Sequence, residues 1–206
     1  MNMLSRITAV EGKSGPLLGL DACASVRTPF GPRRAENVRP GDLLVTRDNG
    51  LQPVRMVWTR TLSEADVAAD PSLAPIRLKP RAIGPMMPQR DLLLAAEHRI
   101  LVPGYRLADV PDTEPRLIAA RDIAEVSDEA YLDRTARDIT FYNIVFDAHQ
   151  VFCVNGLPVE SYLPSIGEVD EAVRKSLAEC LFSDETAEYP VSRYVAAEDG
   201  YRPELV

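Results

Sequence analysis

The chain holds only two histidines, and each stands at the same kind of corner. One is His98, in "LLLAAEHRILV", directly after Glu97; the other is His149, in "NIVFDAHQVFCV", two residues after Asp147. Imidazole titrates near neutrality and can give or take a proton in a transition state. Two histidines brought into one cleft could therefore act as a proton-transfer pair. The plainer alternative is a pair of hydrogen-bonded residues at strand ends. With Glu97 and Asp147 alongside, a site of two histidines and one carboxylate could also bind a metal. The third chemical candidate is Cys23, because a thiol activated by a base or a cationic neighbour attacks a carbonyl. Cys153, flanked by Phe152 and Val154, reads as strand core, and Cys180 as helix packing. Asp42 and Asp48 read as turn formers.

These residues need a scaffold of short strands. "TPFG" is a turn, since Pro29 fixes its own φ and Gly31 permits a positive one. Asn49-Gly50 is the strongest short hairpin signal in the chain. Val54, Met56 and Trp58 alternate with Arg55 and Val57, as in a strand with one packed face. Residues 63–75 read as a polar excursion with one helical turn. Residues 76–90 are cut into short extended pieces by Pro80, Pro85 and Pro88, and the His98 stretch reads as strand, corner, strand. Residues 105–138 are the least regular part, with "RLIAARDI" their one packed segment. Residues 138–156 read as two long hairpin strands joined at Ala148-His149. Many short strands with frequent turns predict an all-β domain.

The end of the chain differs. In "VDEAVRKSLAECLF" the residues Val169, Val173, Leu177, Cys180 and Leu181 fall at helical spacing, with Asp170 and Arg174 paired four apart on the outer face. An amphipathic helix must bury that stripe, on its own domain or on a partner.

The length, 206 residues, suits one domain. The net charge is −8, and from Glu160 onward there are eleven acidic side chains against four basic ones. No basic face is available for phosphate, so nucleic acid is not an expected partner. No run approaches the ~18 apolar residues that span a bilayer, so no membrane association is expected. Three cysteines without metal-type spacing argue for a reducing compartment. The start lacks signal-peptide character, which predicts a cytoplasmic protein and leaves leaderless secretion open.

Taken in order, "TPFG…VRPGDLLVTRDNG…RDLLLAAEHRILV…FYNIVFDAHQVFCVNGLPVESY" resembles the Hint fold of hedgehog autoprocessing domains and inteins, and most closely the bacterial stand-alone Hint-domain proteins. The resemblance runs from about Gly19 to Leu163. It implies an all-β, pseudo-twofold Hint fold with self-acting chemistry and no cofactor. In that family an opening Cys attacks the preceding carbonyl, a histidine of a Thr-x-x-His block protonates the departing amide nitrogen, and a later histidine supports cleavage. His98 matches the first histidine, with Ala95 at the Thr position, and His149 matches the second. The family's terminal His-Asn falls on Glu160-Ser161. Counting back from "TPFG", the nucleophile position is Gly19, and Cys23 lies four residues late.

The expected organisation is a flexible leader over residues 1–18, a Hint domain over 19–163 and an acidic helical extension over 164–206 packed on it. Neither the leader nor the tail reads as a folded segment to be released. Three functions follow. The first is a Hint protein degenerate for splicing that serves as a structural or interaction module, with a protein partner met through the acidic extension. The second is a self-cleaving enzyme using Cys23, His98 and His149. The third is a metal site at the two histidines.

Overall fold

The computed structural model describes residues 10–12, 17–164, 169–181, 189–198 and 201–205. Turn chemistry sets most of the strand ends. After β1 (Val10–Glu11) and β2 (Leu20–Asp21), the "TPFG" turn joins β3 (Ser25–Thr28) to β4 (Gly31–Arg34), with Gly31 at φ +111°. The Asn49-Gly50 turn joins β5 (Leu43–Val45) to β6 (Leu51–Pro53) in a separate two-stranded ribbon. The long β7 (Met56–Leu62) follows, then α1 (Glu64–Ala69). This short helix is held by a capping box in which Ser63 and Asp66 satisfy each other's backbone N–H groups.

β8 (Ile76–Leu78) and β9 (Leu92–Leu94) flank the proline-rich pieces, and β10 (Arg99–Val102) leaves the His98 corner. The irregular stretch holds β11 (Arg116–Ala119), α2 (Ala120–Ala124) and β12 (Ala130–Leu132). β13 (Ile139–Val145), β14 (Val151–Val154), β15 (Leu157–Glu160), α3 (Glu171–Leu181) and β16 (Val195–Ala196) complete the order.

Among the described residues the strands form two seven-stranded sheets, ordered β1-β7-β13-β2-β9-β8-β12 and β16-β11-β10-β15-β14-β3-β4. One continuous apolar cluster joins them, with Leu20, Ile76, Leu94 and Ile144 from the first sheet against Val26, Ile100, Ile118, Phe152 and Val159 from the second. The architecture is all-β. β13 and β14 are not a hairpin, contrary to the sequence reading. The chain crosses at Asp147–Gln150 from one sheet to the other, so β13 pairs with β7 and β2 while β14 pairs with β15 and β3. Asn155-Gly156 instead turns β14 into β15.

β7 is also packed on both faces rather than one. Val57 joins the central cluster, while Met56 and Trp58 meet α3 through Val169, Val173 and Leu177. The helical stripe is thus buried on the chain's own domain. On its outer face Arg174 pairs with Glu171 at 2.9 Å. Part of the expected leader is built into the fold: Val10 and Glu11 run parallel to β7, and Leu17 and Leu18 are buried. Residues 1–9 and 13–16 lie outside the described residues. Among those described, no helix is long and apolar enough to cross a membrane.

Candidate functional site

The corner between β9 and β10 is a tight backbone clasp. The His98 N–H donates to the Ala95 carbonyl (3.0 Å), and the Ala95 N–H donates to the Gly19 carbonyl (3.1 Å). The His98 carbonyl accepts the Ala120 N–H at 2.9 Å, which ties the corner to α2. This clasp buries the imidazole and aims it at the strand that starts the domain. The Gly19 N–H donates to His98 Nδ1 at 3.2 Å. On the other side of the same peptide bond, Asn143 Nδ2 donates to the Leu18 carbonyl at 3.2 Å. The Leu18–Gly19 peptide is therefore gripped at both its donor and its acceptor.

No side chain on residue 19 completes that arrangement, and none fits there. Gly19 has φ +117°, a left-handed conformation that L-residues rarely adopt. A Cβ on Gly19 would lie 2.9 Å from the Tyr142 carbonyl oxygen and 3.1 Å from both Asn143 Nδ2 and Phe141 Cβ. Two of those neighbours are fixed by the β13 backbone and cannot give way cheaply.

Burial sets the state of His98. It pushes the pKa down to about 4, and the neighbouring charges of His149 and Arg99 push in the same direction while Glu160 partly offsets them. At neutral pH the ring is uncharged, which agrees with Nδ1 accepting a hydrogen bond.

His149 lies in the crossing between the sheets, buried, with its own covering. Its N–H donates to the Pro190 carbonyl at 2.8 Å, and its Nδ1 accepts the Ser192 N–H at 3.5 Å. Its Nε2 is 3.3 Å from Glu160 Oε2, close enough for an ion pair but not aligned as a hydrogen bond. Glu160 Oε1 accepts the Arg99 N–H at 3.3 Å, so this buried carboxylate stands between the His98 corner and His149. The two histidines thus share one neighbourhood, linked through Glu160.

The structure does not bring Cys23 to them. It sits in the exposed turn after β2, where its N–H donates to Asp21 Oδ2 (2.9 Å) and its Sγ accepts from the Arg34 guanidinium (2.7 Å). The amide facing His98 belongs to a residue four positions earlier. The carboxylates proposed for a metal face elsewhere too. Glu97 pairs with Arg121, and Asp147 pairs with Arg55 at 3.0 Å on the surface. Among the described residues no group of three or more His, Cys, Asp or Glu side chains is placed to hold a metal ion. The carboxylates of the metal reading are thus paired with arginines, Glu97 with Arg121 and Asp147 with Arg55, on the elements that lead into the two histidines.

Two residues of the site escaped the sequence reading. Asn143 shares the buried register of Phe141 and Val145, and a polar residue in such a line was the available signal. Glu160, which the resemblance set only at the family's terminal His, is a buried carboxylate ending β15, and its partners lie on β10 and in the crossing.

A family model described as the Hint domain matches residues 20–166. Solved structures similar to this chain include the gp41-1 intein, at 14% identity and TM-score 0.42, over 71% of this chain and 98% of the intein. The MchDnaB-1 intein is 11% identical at TM-score 0.42, over 68% of this chain and 98% of its own. An intein-like domain from Clostridium thermocellum is 15% identical at TM-score 0.43, over 70% of this chain and 98% of its own. No curated protein matches.

Proposed function

The chain belongs to the Hint-domain family, and from that premise we propose that it is a member without acyl-shift chemistry, serving as a structural or interaction module. One observation carries the reading: the amide held by His98 belongs to Gly19. An N–S acyl shift needs a thiol or hydroxyl on the residue that supplies the leaving nitrogen. Glycine has neither, and the space around it admits no side chain. The state of His98 supports the same conclusion. The nitrogen that faces Gly19 is the lone-pair side of a neutral ring, whose one remaining proton is on the opposite nitrogen, Nε2.

The alternative is self-cleavage before Cys23. Gripping of the Leu18–Gly19 peptide by His98 and Asn143 is what favours retained chemistry, since half of a polarising site is in place. Bringing Cys23 to that grip requires a four-residue slip, ~13 Å along an extended strand. The slip would also pull Leu20 out of the core. The test is the mass of purified protein after incubation with a strong thiol: an unchanged mass supports the module, and a fragment supports the enzyme.

A further inference from the structure

We propose that the groove over His149 is a peptide-docking site, occupied in this structure by the chain's own residues 189–194 and suited to an extended, arginine-bearing peptide of a partner protein. The proposal rests on the interaction-module reading and names its surface. His149 offers one N–H and one ring nitrogen to a crossing main chain. It holds the Pro190 carbonyl at 2.8 Å and the Ser192 N–H at 3.5 Å, two residues apart, as a sheet edge holds an added strand.

The ends of the segment are fixed by side chains. The Tyr189 hydroxyl donates to the Phe146 carbonyl at 3.0 Å. Asp48 Oδ1 accepts both the Arg193 guanidinium (2.7 Å) and the Tyr194 hydroxyl (2.9 Å), while Arg47 Nε donates to that same hydroxyl (3.0 Å). The groove therefore reads an aromatic residue, an extended backbone, and an arginine followed by a second aromatic, four and five positions after the first.

The chain's own segment holds this groove without filling it. The Ser192 hydroxyl oxygen is buried and has no protein partner, and the bond from its N–H to His149 is at the outer limit for a hydrogen bond. Val191 is 65% exposed, so the middle of the segment contributes little burial. A cleft of about 300 Å³ remains between the segment and a floor that includes Asn49, His149 and Gln150. A partner peptide with a longer polar side chain at the Ser192 position would reach that floor. Asp48, which takes the Arg193 guanidinium at 2.7 Å, favours an arginine-bearing occupant.

The experiment uses full-length protein carrying Arg193→Ala and Tyr194→Phe, which loosens the segment while keeping the buried ring. A fluorescein-labelled peptide of residues 188–197 is titrated by polarisation. The double variant should bind it about tenfold more tightly than the unaltered protein, because its groove is open more of the time. Adding Asp48→Ala should remove that gain. Equal binding by folded variant and unaltered protein, or binding indifferent to Asp48→Ala, overturns the proposal. Should the variant fail to fold, hydrogen exchange of the unaltered protein decides. The His149 amide should exchange faster than those of Ile100 and Leu101, and equal protection overturns the proposal. Self-cleavage would sink the module reading and leave the titration to be judged by itself.

Discussion

Gly19 and His98, 79 residues apart in the chain, meet in the interior through one hydrogen bond of 3.2 Å from the glycine amide to the imidazole Nδ1. The same peptide bond is held at its carbonyl by Asn143, and the residue between these two contacts has no side chain. In the function proposed above, Gly19 takes the place of the nucleophile.

The burial of His98 predicts a pH dependence. His98 is held at a pKa of about 4, below its ordinary 6.5, so between those values the unfolded chain binds the extra proton. Stability from His98 is then complete above pH 6.5 and declines as the pH falls toward 4. The loss should approach about 3 kcal/mol, from 1.36 kcal/mol per pH unit. Urea denaturation at pH 7 and pH 4 measures it, and His98→Gln should flatten the slope relative to the unaltered protein. An equal slope in the two proteins contradicts the assignment.

Gly19→Ala should destabilise the domain by about 2–3 kcal/mol. It combines a strained positive φ with a Cβ set against fixed backbone. Chemical denaturation reads the effect, and a change below about 0.5 kcal/mol, the size of an ordinary surface substitution, would mean that β13 yields.

Leu177 is 4% exposed and packs with Trp58 and Val173 where α3 crosses β7. Leu177→Ala should cost about 2–4 kcal/mol, as buried leucine truncations do. A near-neutral result would mean that the helix is not docked in solution.

Cys23 is exposed, whereas Cys153 and Cys180 are partly covered by strand and helix. In the native protein one thiol should therefore react rapidly with Ellman's reagent, and Cys23→Ala should abolish that fast phase. A fast phase that survives the substitution would contradict the placement of Cys23.

What could be read in advance was local. Gly31 and Asn49-Gly50 turn where their backbone chemistry requires it, and the stripe from Val169 to Leu177 faces the core as its spacing demands. What could not be read depends on partners distant in sequence. The run through His149 has hairpin composition, yet its two strands pair in different sheets: β13 is claimed by the distant β7, and β14 by β15 through the nearby Asn155-Gly156 turn. Val10 gives no sign of its place beside Trp58. The position of Gly19 was legible by counting from "TPFG". Its contacts with His98 and Asn143 were not, because a glycine amide carries no signature of what it touches. Glu97 and Asp147 stand close to the histidines in sequence, but their partners, Arg121 and Arg55, lie on distant segments that the local sequence does not announce.

A Hint fold without a nucleophile at its gripped peptide, as proposed here, leaves the chain uncleaved. The most direct test is intact-mass spectrometry of purified protein after long incubation at neutral pH with hydroxylamine, which captures any thioester as a hydroxamate. One species is expected, at the full mass of the unaltered chain, and Cys23→Ala should likewise stay whole at its own, lighter mass. A fragment beginning at Cys23 that vanishes in Cys23→Ala, or one beginning at Gly19 that vanishes in His98→Ala, would contradict that expectation and make the chain an autoprocessing enzyme.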